Sequence, residues 1–460
     1  MSFYQTAFVF IFLPVCVLLY FVLPKYCRRY LLLAASVVFI AWGGLKGLAV
    51  IAASTVFNYF TGLLIDKKGK KTAWGTFAFV SGILCDIALL ALFKYVSPAA
   101  SLFGKNFAVG FAPMGISFFT FSAISYLCDV RSGKAPAAVN FIDLAIYVCF
   151  FGKLVSGPIV KYADIAEQIE RPRTTRNLLE RGARRFAVGL AKKLLIADGL
   201  TVYFNMLQSG GEKTLLGAWT AALCYAFILY YDFSGYSDMA IGISGVLGFR
   251  LPENFEYPYL SPSVTQFWRR WHITLGAWFK EYVYIPLGGS RKGNARTVFN
   301  LFAVWLLTGI WHGANFTFLV WGLYYFVLLV LEKFVFASVL EKTPKAVNVF
   351  LVFLAAVFGW VLFFSPDIGS AFAHIGNMFG FGCGSAASAG SVYALRGAGI
   401  LLVIAAIGAT GAVKKAFALL EERTRAGSGV ISAVCCTALF ALCVAEMANS
   451  TYTSFLYAAF

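Results

Sequence analysis

The stretch 297–331, TVFNLFAVWLLTGIWHGANFTFLVWGLYYFVLLVL, runs without a single Asp, Glu, Lys or Arg. Its halves, 297–311 and 316–331, each approach the roughly 20 apolar residues that a hydrocarbon core about 30 Å thick demands of a helix. Neither half keeps the polar face of a surface helix or the strict alternation of a half-buried strand. Between them lies Thr308-Gly309-Ile310-Trp311-His312-Gly313-Ala314-Asn315, where two glycines bracket a histidine. Two membrane helices joined by a short break containing an imidazole is the reading that fits.

The rest of the chain agrees. Of its 460 residues, 60% are hydrophobic and 13% charged, with a mean hydropathy of +0.77; soluble chains carry about 45–50% apolar and about 25% charged residues. These values exclude a cytosolic enzyme, a disordered chain, a collagenous or coiled-coil fibre, and a nucleic-acid binder built on a basic surface. Twelve apolar runs are candidate spans: 4–23, 30–45, 47–65, 75–97, 110–130, 186–206, 215–232, 297–311, 316–331, 346–364, 395–413 and 428–447. The expected class is an all-α polytopic membrane protein with about 11–13 transmembrane helices.

Lys and Arg number 38 against 21 Asp and Glu, and the excess sits between apolar runs, where it orients a chain by the positive-inside rule. Lys25, Arg28 and Arg29 fall on the side of Lys67, Lys68, Lys70 and Lys71, which marks the cytoplasm. Arg131, Lys134 and the cluster Arg171, Arg173, Arg176, Arg181, Arg184 and Arg185 belong there too. A simple crossing by 141–160 would break that order. This run holds Lys153 and Gly157-Pro158, so a broken or re-entrant segment is expected. The same expectation applies to 234–250, which is Gly-rich, and 251–296 reads as a Trp- and Tyr-rich stretch along the cytoplasmic interface. Lys333, Lys342 and Lys345, then Lys414, Lys415, Arg423 and Arg425, mark the cytoplasm again, and twelve crossings place both termini outside. No internal repeat supports an inverted-repeat transporter.

The ten cysteines show no metal-ligand spacing and read as small core hydrophobes. The run 9–23 reads as a first span rather than a leader. No P-loop, GxGxxG or HExxH occurs, which argues against ATP-driven transport, dinucleotide chemistry and zinc proteolysis. No metal site is expected.

Only three histidines are present, and an ionisable group at membrane depth is a functional candidate by default. His312 stands out because glycines allow close backbone approach, Trp311 supplies a wall, and an imidazole with an ordinary pKa of about 6.5 takes and returns a proton at neutral pH. A satisfied helix-end histidine explains the residue but not its glycine frame. His272 lies in Gln266-Phe267-Trp268-Arg269-Arg270-Trp271-His272, an interfacial pattern that needs no chemistry to explain it. Arg269 and Arg270 either hold a phosphorylated ligand or anchor to lipid headgroups. His374 reads as an interfacial histidine.

Tyr230-Tyr231-Asp232-Phe233-Ser234-Gly235-Tyr236-Ser237-Asp238 puts two carboxylates at the end of an apolar run. Buried carboxylates need partners, and Arg269, Arg270 and Lys280 are the candidates. The group is either a structural clamp or a handler of substrate or protons. Lys192, Lys193 and Asp198 read as a helix whose cations snorkel to the cytoplasmic face.

Taken together these motifs resemble the bacterial membrane-bound O-acyltransferase (MBOAT) family, in the branch that acetylates alginate and peptidoglycan. The resemblance is carried by Gly115-Ile116-Ser117-Phe118-Phe119-Thr120-Phe121 through Asp129, Ser156-Gly157-Pro158-Ile159, Gly189-Leu190-Ala191-Lys192-Lys193 and Tyr231 through Asp238. It continues through Phe267-Trp268-Arg269-Arg270-Trp271-His272, Pro286-Leu287-Gly288-Gly289 and Thr308-Gly309-Ile310-Trp311-His312-Gly313. It implies one membrane domain over 1–460, with N-terminal helices (1–130), a core with re-entrant segments and the histidine motifs (131–345), and C-terminal helices (346–460). A ring of helices around a thinned central site is the implied arrangement.

By the same resemblance His312 takes the place of the family's catalytic histidine and His272 that of its second. Trp311, Asn315, Arg269, Arg270, Tyr231, Asp232 and Asp238 are the substrate-binding candidates. The implied reaction moves an acetyl group from cytoplasmic acetyl-CoA, a substrate rather than a bound cofactor, toward an extracytoplasmic polysaccharide. An SGNH-type partner completes the transfer, and the bacterial inner membrane is the implied location, with no nucleic acid involved. A D-alanyl transferase of teichoic-acid type, fed by a carrier-protein thioester, is the alternative, and a polysaccharide or solute transporter the third. The end, Thr453 to Phe460, departs from the aromatic-rich Asn-Pro-Phe-x-Tyr-type tail of relatives.

Overall fold

The computed structural model describes residues 1–102, 111–424 and 428–449; the tail from Thr453 lies outside these. Helices dominate, and among the described residues the only strand-like pairings are isolated bridges at Thr214–Ser385 and Phe255–Trp271. The protein is an all-α polytopic membrane protein. Among the described residues seven helices are long and apolar enough to cross a bilayer: Leu45–Lys67, Ala73–Pro98, Leu215–Val246, Phe316–Phe334, Lys345–Phe364, Ala389–Gly408 and Gly429–Asn449. The other five expected runs are helical too, over Phe8–Val22, Arg28–Ala41, Ile116–Ser132, the consecutive segments of 176–209, and Asn294–His312. They are shorter or more polar than the seven.

The expectation of a broken segment over 234–250 is overturned for most of its length. Residues 234–246 do not break away as a separate segment but continue the helix Leu215–Val246 for 32 residues. The polar residues that suggested a break, Asp232, Ser234, Ser237 and Ser244, are buried, so the helix needs no apolar sequence there. By contrast 141–160 is broken as expected: Phe141–Cys149 stops at Phe150, and Phe151–Leu154 adds a single turn before non-helical backbone.

The chain divides into two compact units. The first comprises Met1–Phe186 and Tyr236–Glu253, the second Ala187–Gly235 and the described residues from Asn254 onward. In the first, Asn58 donates from Nδ2 to Asp86 Oδ1 at 2.9 Å and ties two apolar helices. Lys153 is buried there, donating from Nζ to Ser122 Oγ at 2.9 Å, 4.6 Å above the Tyr147 ring.

In the second unit the decisive contact lies between Asn294–His312 and Phe316–Phe334. A Cβ on Gly322 would sit 2.5 Å from the carbonyl oxygen of Trp305, and one on Gly309 would sit 2.6 Å from that of Phe318. Real side-chain carbons do not approach that closely, so both helices need glycine at the crossing. Gly309 therefore frames His312 by packing its helix on the next one. Introducing an isopropyl group there, Gly309→Val or Gly322→Val, is expected to cost at least the roughly 1–3 kcal/mol typical of overpacking and to inactivate the protein. Thermal melting of the purified variants, beside an exposed control such as Gly399→Ala, checks this.

Candidate functional site

The helix Asn294–His312 ends at His312, where Gly313 turns to extended backbone. The next helix begins at once, because Asn315 Oδ1 accepts from Thr317 N at 3.1 Å as its N-cap. Asn315 Nδ2 donates to the Pro366 carbonyl at 2.7 Å, so the side chain of this exposed residue serves the fold at both ends.

His312 is 3% exposed, which is deep burial for an ionisable side chain. Aromatic rings wall it: Trp311 at 4.8 Å between centroids, Trp321 edge-on at 4.9 Å, Phe363 at 5.2 Å and Phe318 at 6.2 Å. His272 is equally buried, with the Phe233 ring edge-on at 4.7 Å and the Trp311 ring at 6.3 Å. Trp311 thus touches both histidines, and His272, Trp311 and His312 form one cluster inside the second unit.

His272 reaches this position by an unusual route. The helix Val264–Arg270 stops at Trp271, and His272 takes up left-handed backbone, φ 46° and ψ 52°, before Ile273–Phe279 begins. Such a conformation is rare for a residue with a side chain and costs free energy. Residues 254–256 hold it: Glu256 N donates to the Arg270 carbonyl and Ile273 N to the Asn254 carbonyl, both at 3.0 Å. Asn254 Oδ1 then receives Thr274 Oγ1 at 2.9 Å and Thr274 N at 3.2 Å, and His272 Nδ1 lies 3.1 Å from the same oxygen. Burial pushes the His272 pKa down to about 3, so the ring is neutral.

Glu332 anchors the other end of this element. Its two carboxylate oxygens accept Val264 N at 2.5 Å and Thr265 N at 3.0 Å, placing an anion at a helix N-terminus where it is stabilising. Around Trp268 the rings of Trp305, Trp321, Tyr325 and Trp360 lie at 4.7, 5.6, 4.7 and 6.4 Å. The helix that carries Arg269 and Arg270 is thereby fixed by its aromatic neighbours. Arg269 itself is exposed, and Arg270 reaches the Leu260 carbonyl at 3.5 Å.

The acidic constellation finds partners other than those expected. Asp232 pairs with Lys193 at 2.9 Å, and Lys193 also donates to Asp198 at 2.7 Å. Lys193 has a side chain 3% exposed, so it does not snorkel to the surface but holds two carboxylates inside the protein. The segment Lys192–Asp198 is a π-helix, whose wider turn lets residues five apart meet, as Lys193 and Asp198 do. Separately, in the first unit, Arg185 binds Asp238 at 2.8 Å and also Glu253. Arg269, Arg270 and Lys280 are thus not the aspartates' partners. Tyr231 spends its hydroxyl on the Ala405 carbonyl at 2.6 Å, and His374 lies at the interface of two elements with Nε2 3.1 Å from the Ala218 carbonyl.

Sequence reasoning missed Asn254, Glu332, Trp321 and the role of Lys193. Asn254 and Glu332 lie in no motif with the residues they serve: Asn254 is 18 positions from His272 and Glu332 is 68 from Val264. Removing one partner of a buried ion pair costs about 3–5 kcal/mol, so Lys193→Met should unfold the protein at markedly lower temperature. Combining it with Asp232→Asn should restore part of that loss. Melting curves of the single and double variants measure the coupling.

The chain is similar to known proteins over most of its length. The family model for the membrane-bound O-acyltransferase family matches residues 32–368. A probable alginate O-acetylase of Pseudomonas syringae pv. tomato is 40% identical over 395 residues, covering 83% of this chain and 76% of the relative. A peptidoglycan O-acetyltransferase of Helicobacter pylori is 34% identical over 417 residues, covering 81% of this chain and 79% of that one. A teichoic acid D-alanyltransferase of Bacillus subtilis is 30% identical over 232 residues, covering 48% and 59%. An apolar helical chain with a buried glycine-framed histidine, matched over most of its length, belongs to the membrane-bound O-acyltransferase family and is an acyltransferase.

Proposed function

We propose that the protein is an O-acetyltransferase of a bacterial inner membrane, taking acetyl groups from cytoplasmic acetyl-CoA and delivering them toward an extracytoplasmic polysaccharide. The observation that carries this reading is the buried His272–Trp311–His312 cluster in a chain whose alginate- and peptidoglycan-modifying relatives match over more than four fifths of its length. An SGNH-type partner outside the membrane would complete transfer to the polymer.

In this mechanism His312 is the general base. It accepts the proton of the acceptor hydroxyl as the oxygen attacks the thioester carbonyl. A new C–O bond forms, the C–S bond breaks, and the thiolate of CoA leaves and takes up a proton. General-base catalysis is worth about 10²–10⁴-fold, and the aromatic wall excludes water that would otherwise hydrolyse the thioester. Arg269 and Arg270 suit the phosphates of the donor by charge-assisted hydrogen bonds.

The match to the D-alanyl transferase over about half of this chain keeps a carrier-protein donor as the second reading. Both are tested by one measurement, release of free CoA thiol from acetyl-CoA by protein in liposomes, with and without an acceptor. Wild type should release thiol and His312→Ala should lose about 10²-fold or more of the rate while remaining folded and inserted. Equal release by both would overturn the role of His312. No release by folded wild type, with aminoacyl transfer from a carrier protein instead, would move the assignment to the second reading.

A further inference from the structure

The contacts of Asn254 determine the protonation pattern of His272. The backbone N–H of Thr274 can only donate, and the side-chain atom of Asn254 that receives it, 3.2 Å away, must be the oxygen. The Thr274 hydroxyl reaches the same atom at 2.9 Å, which fixes the orientation of the amide. His272 Nδ1 lies 3.1 Å from that oxygen. Since a carbonyl oxygen only accepts, Nδ1 carries the hydrogen. A neutral imidazole has one N–H, so Nε2 carries the lone pair.

We propose that Asn254 is a positioning residue of the site: its side-chain oxygen fixes His272 as the Nδ1–H tautomer and so makes Nε2 a hydrogen-bond acceptor toward the substrates of acyl transfer. The inference rests on the acyl-transfer reading above and deepens it. Proton uptake from the acceptor hydroxyl stays with His312; His272, neutral and without a hydrogen at Nε2, does not hydrogen-bond a developing oxyanion. It accepts instead, from an N–H or O–H of donor or acceptor.

Two further features fit a built site rather than a chance turn. Asn254 commits both of its oxygens to residues 272–274, because its backbone carbonyl receives Ile273 N at 3.0 Å; it therefore sets the left-handed backbone of His272 as well as its tautomer. Asn254 is fully buried, yet its Nδ2 has no hydrogen-bond acceptor among the described residues. Buried amide hydrogens of native proteins are nearly always paired, and an oxygen of bound substrate or water would complete them.

Because the chain has only three histidines, the tautomer is directly measurable. Full-length protein labelled with ¹⁵N only at histidine, reconstituted in lipid and studied by solid-state NMR at pH 7, should show His272 with Nδ1 protonated and Nε2 not, the signal being assigned by its loss in His272→Gln. In Asn254→Leu an Nε2–H population should appear. The kcat for acetyl transfer should fall on the order of 10–100-fold, as when the orienting partner of a functional histidine is lost, with KM for acetyl-CoA little changed. An Nε2–H His272 in the wild type overturns the proposal, and that spectrum requires no variant to fold. An unchanged kcat in a folded Asn254→Leu protein overturns it as well. Failure of the acyl-transfer reading looks different: folded wild type would release no thiol at all.

Discussion

At Gly309 and Gly322 two helices come so close that a single methyl on either would strike the backbone of the other. Everything around His312 depends on this crossing. It sets the distance at which Trp321 and Phe318, on the second helix, meet the imidazole at the end of the first. Interhelical packing in a bilayer draws little from the hydrophobic effect, because lipid tails are as apolar as leucine, so close contact of small residues has to supply the attraction. The glycines beside the histidine therefore carry a mechanical duty first. Gly309 lets the helices touch, and Gly313 lets the chain leave the helix directly after the imidazole with no room for a side chain against the Phe318 ring, 2.8 Å from its would-be Cβ.

The second constraint is that charge inside such a protein must be answered by charge. Lys193 stands between Asp198 and Asp232 with almost no exposure, and the three together fix the π-helical turn Lys192–Asp198 against Leu215–Val246. The local backbone and the ion pairs support each other: the wider turn brings Lys193 and Asp198 into register, and the pairing keeps the turn from relaxing to ordinary helix. Gly235 allows this, since a Cβ there would lie 2.7 Å from the Gly189 carbonyl. Whatever the acidic constellation contributes to chemistry, its first effect is to lock two helices of the second unit.

How much of this could be read in the sequence follows from the range of each interaction. Apolar runs and helix ends are local, so the helices were legible, including the stop at His312 and the break within 141–160. His312 stood out as a candidate because an ionisable residue flanked by glycine and tryptophan in an apolar run is costly to keep without a use, whereas His272, in an interfacial pattern, came forward only through the family resemblance. Partnerships were not. Lys193 next to Lys192 looks like a pair of snorkelling cations, and only the fold shows that one of them faces two aspartates. The extension of helix 215–232 to Val246 was hidden for the same reason: its serines and aspartates look like a loop until the residues that bury them are known. Asn254 and Glu332 carried no signal, since an asparagine in a polar stretch and a glutamate at a helix end are both ordinary.

The segment around His272 shows why such hidden residues matter to chemistry. A histidine in left-handed backbone costs of order 1–3 kcal/mol, and a buried amide nitrogen left without an acceptor costs about 1–3 kcal/mol more. A turn needed only to reverse the chain would be met more cheaply by glycine at 272 and an apolar side chain at 254. The fold instead maintains both costs together, at residues joined by one hydrogen bond, against a tryptophan that also touches His312. Strain that is stable only because its surroundings over-determine it belongs to sites where geometry is part of the mechanism. In this protein the surroundings are the bridge at Phe255–Trp271, the Glu332 cap and the aromatic neighbours of Trp268, and what they over-determine is the direction in which one imidazole nitrogen presents its lone pair.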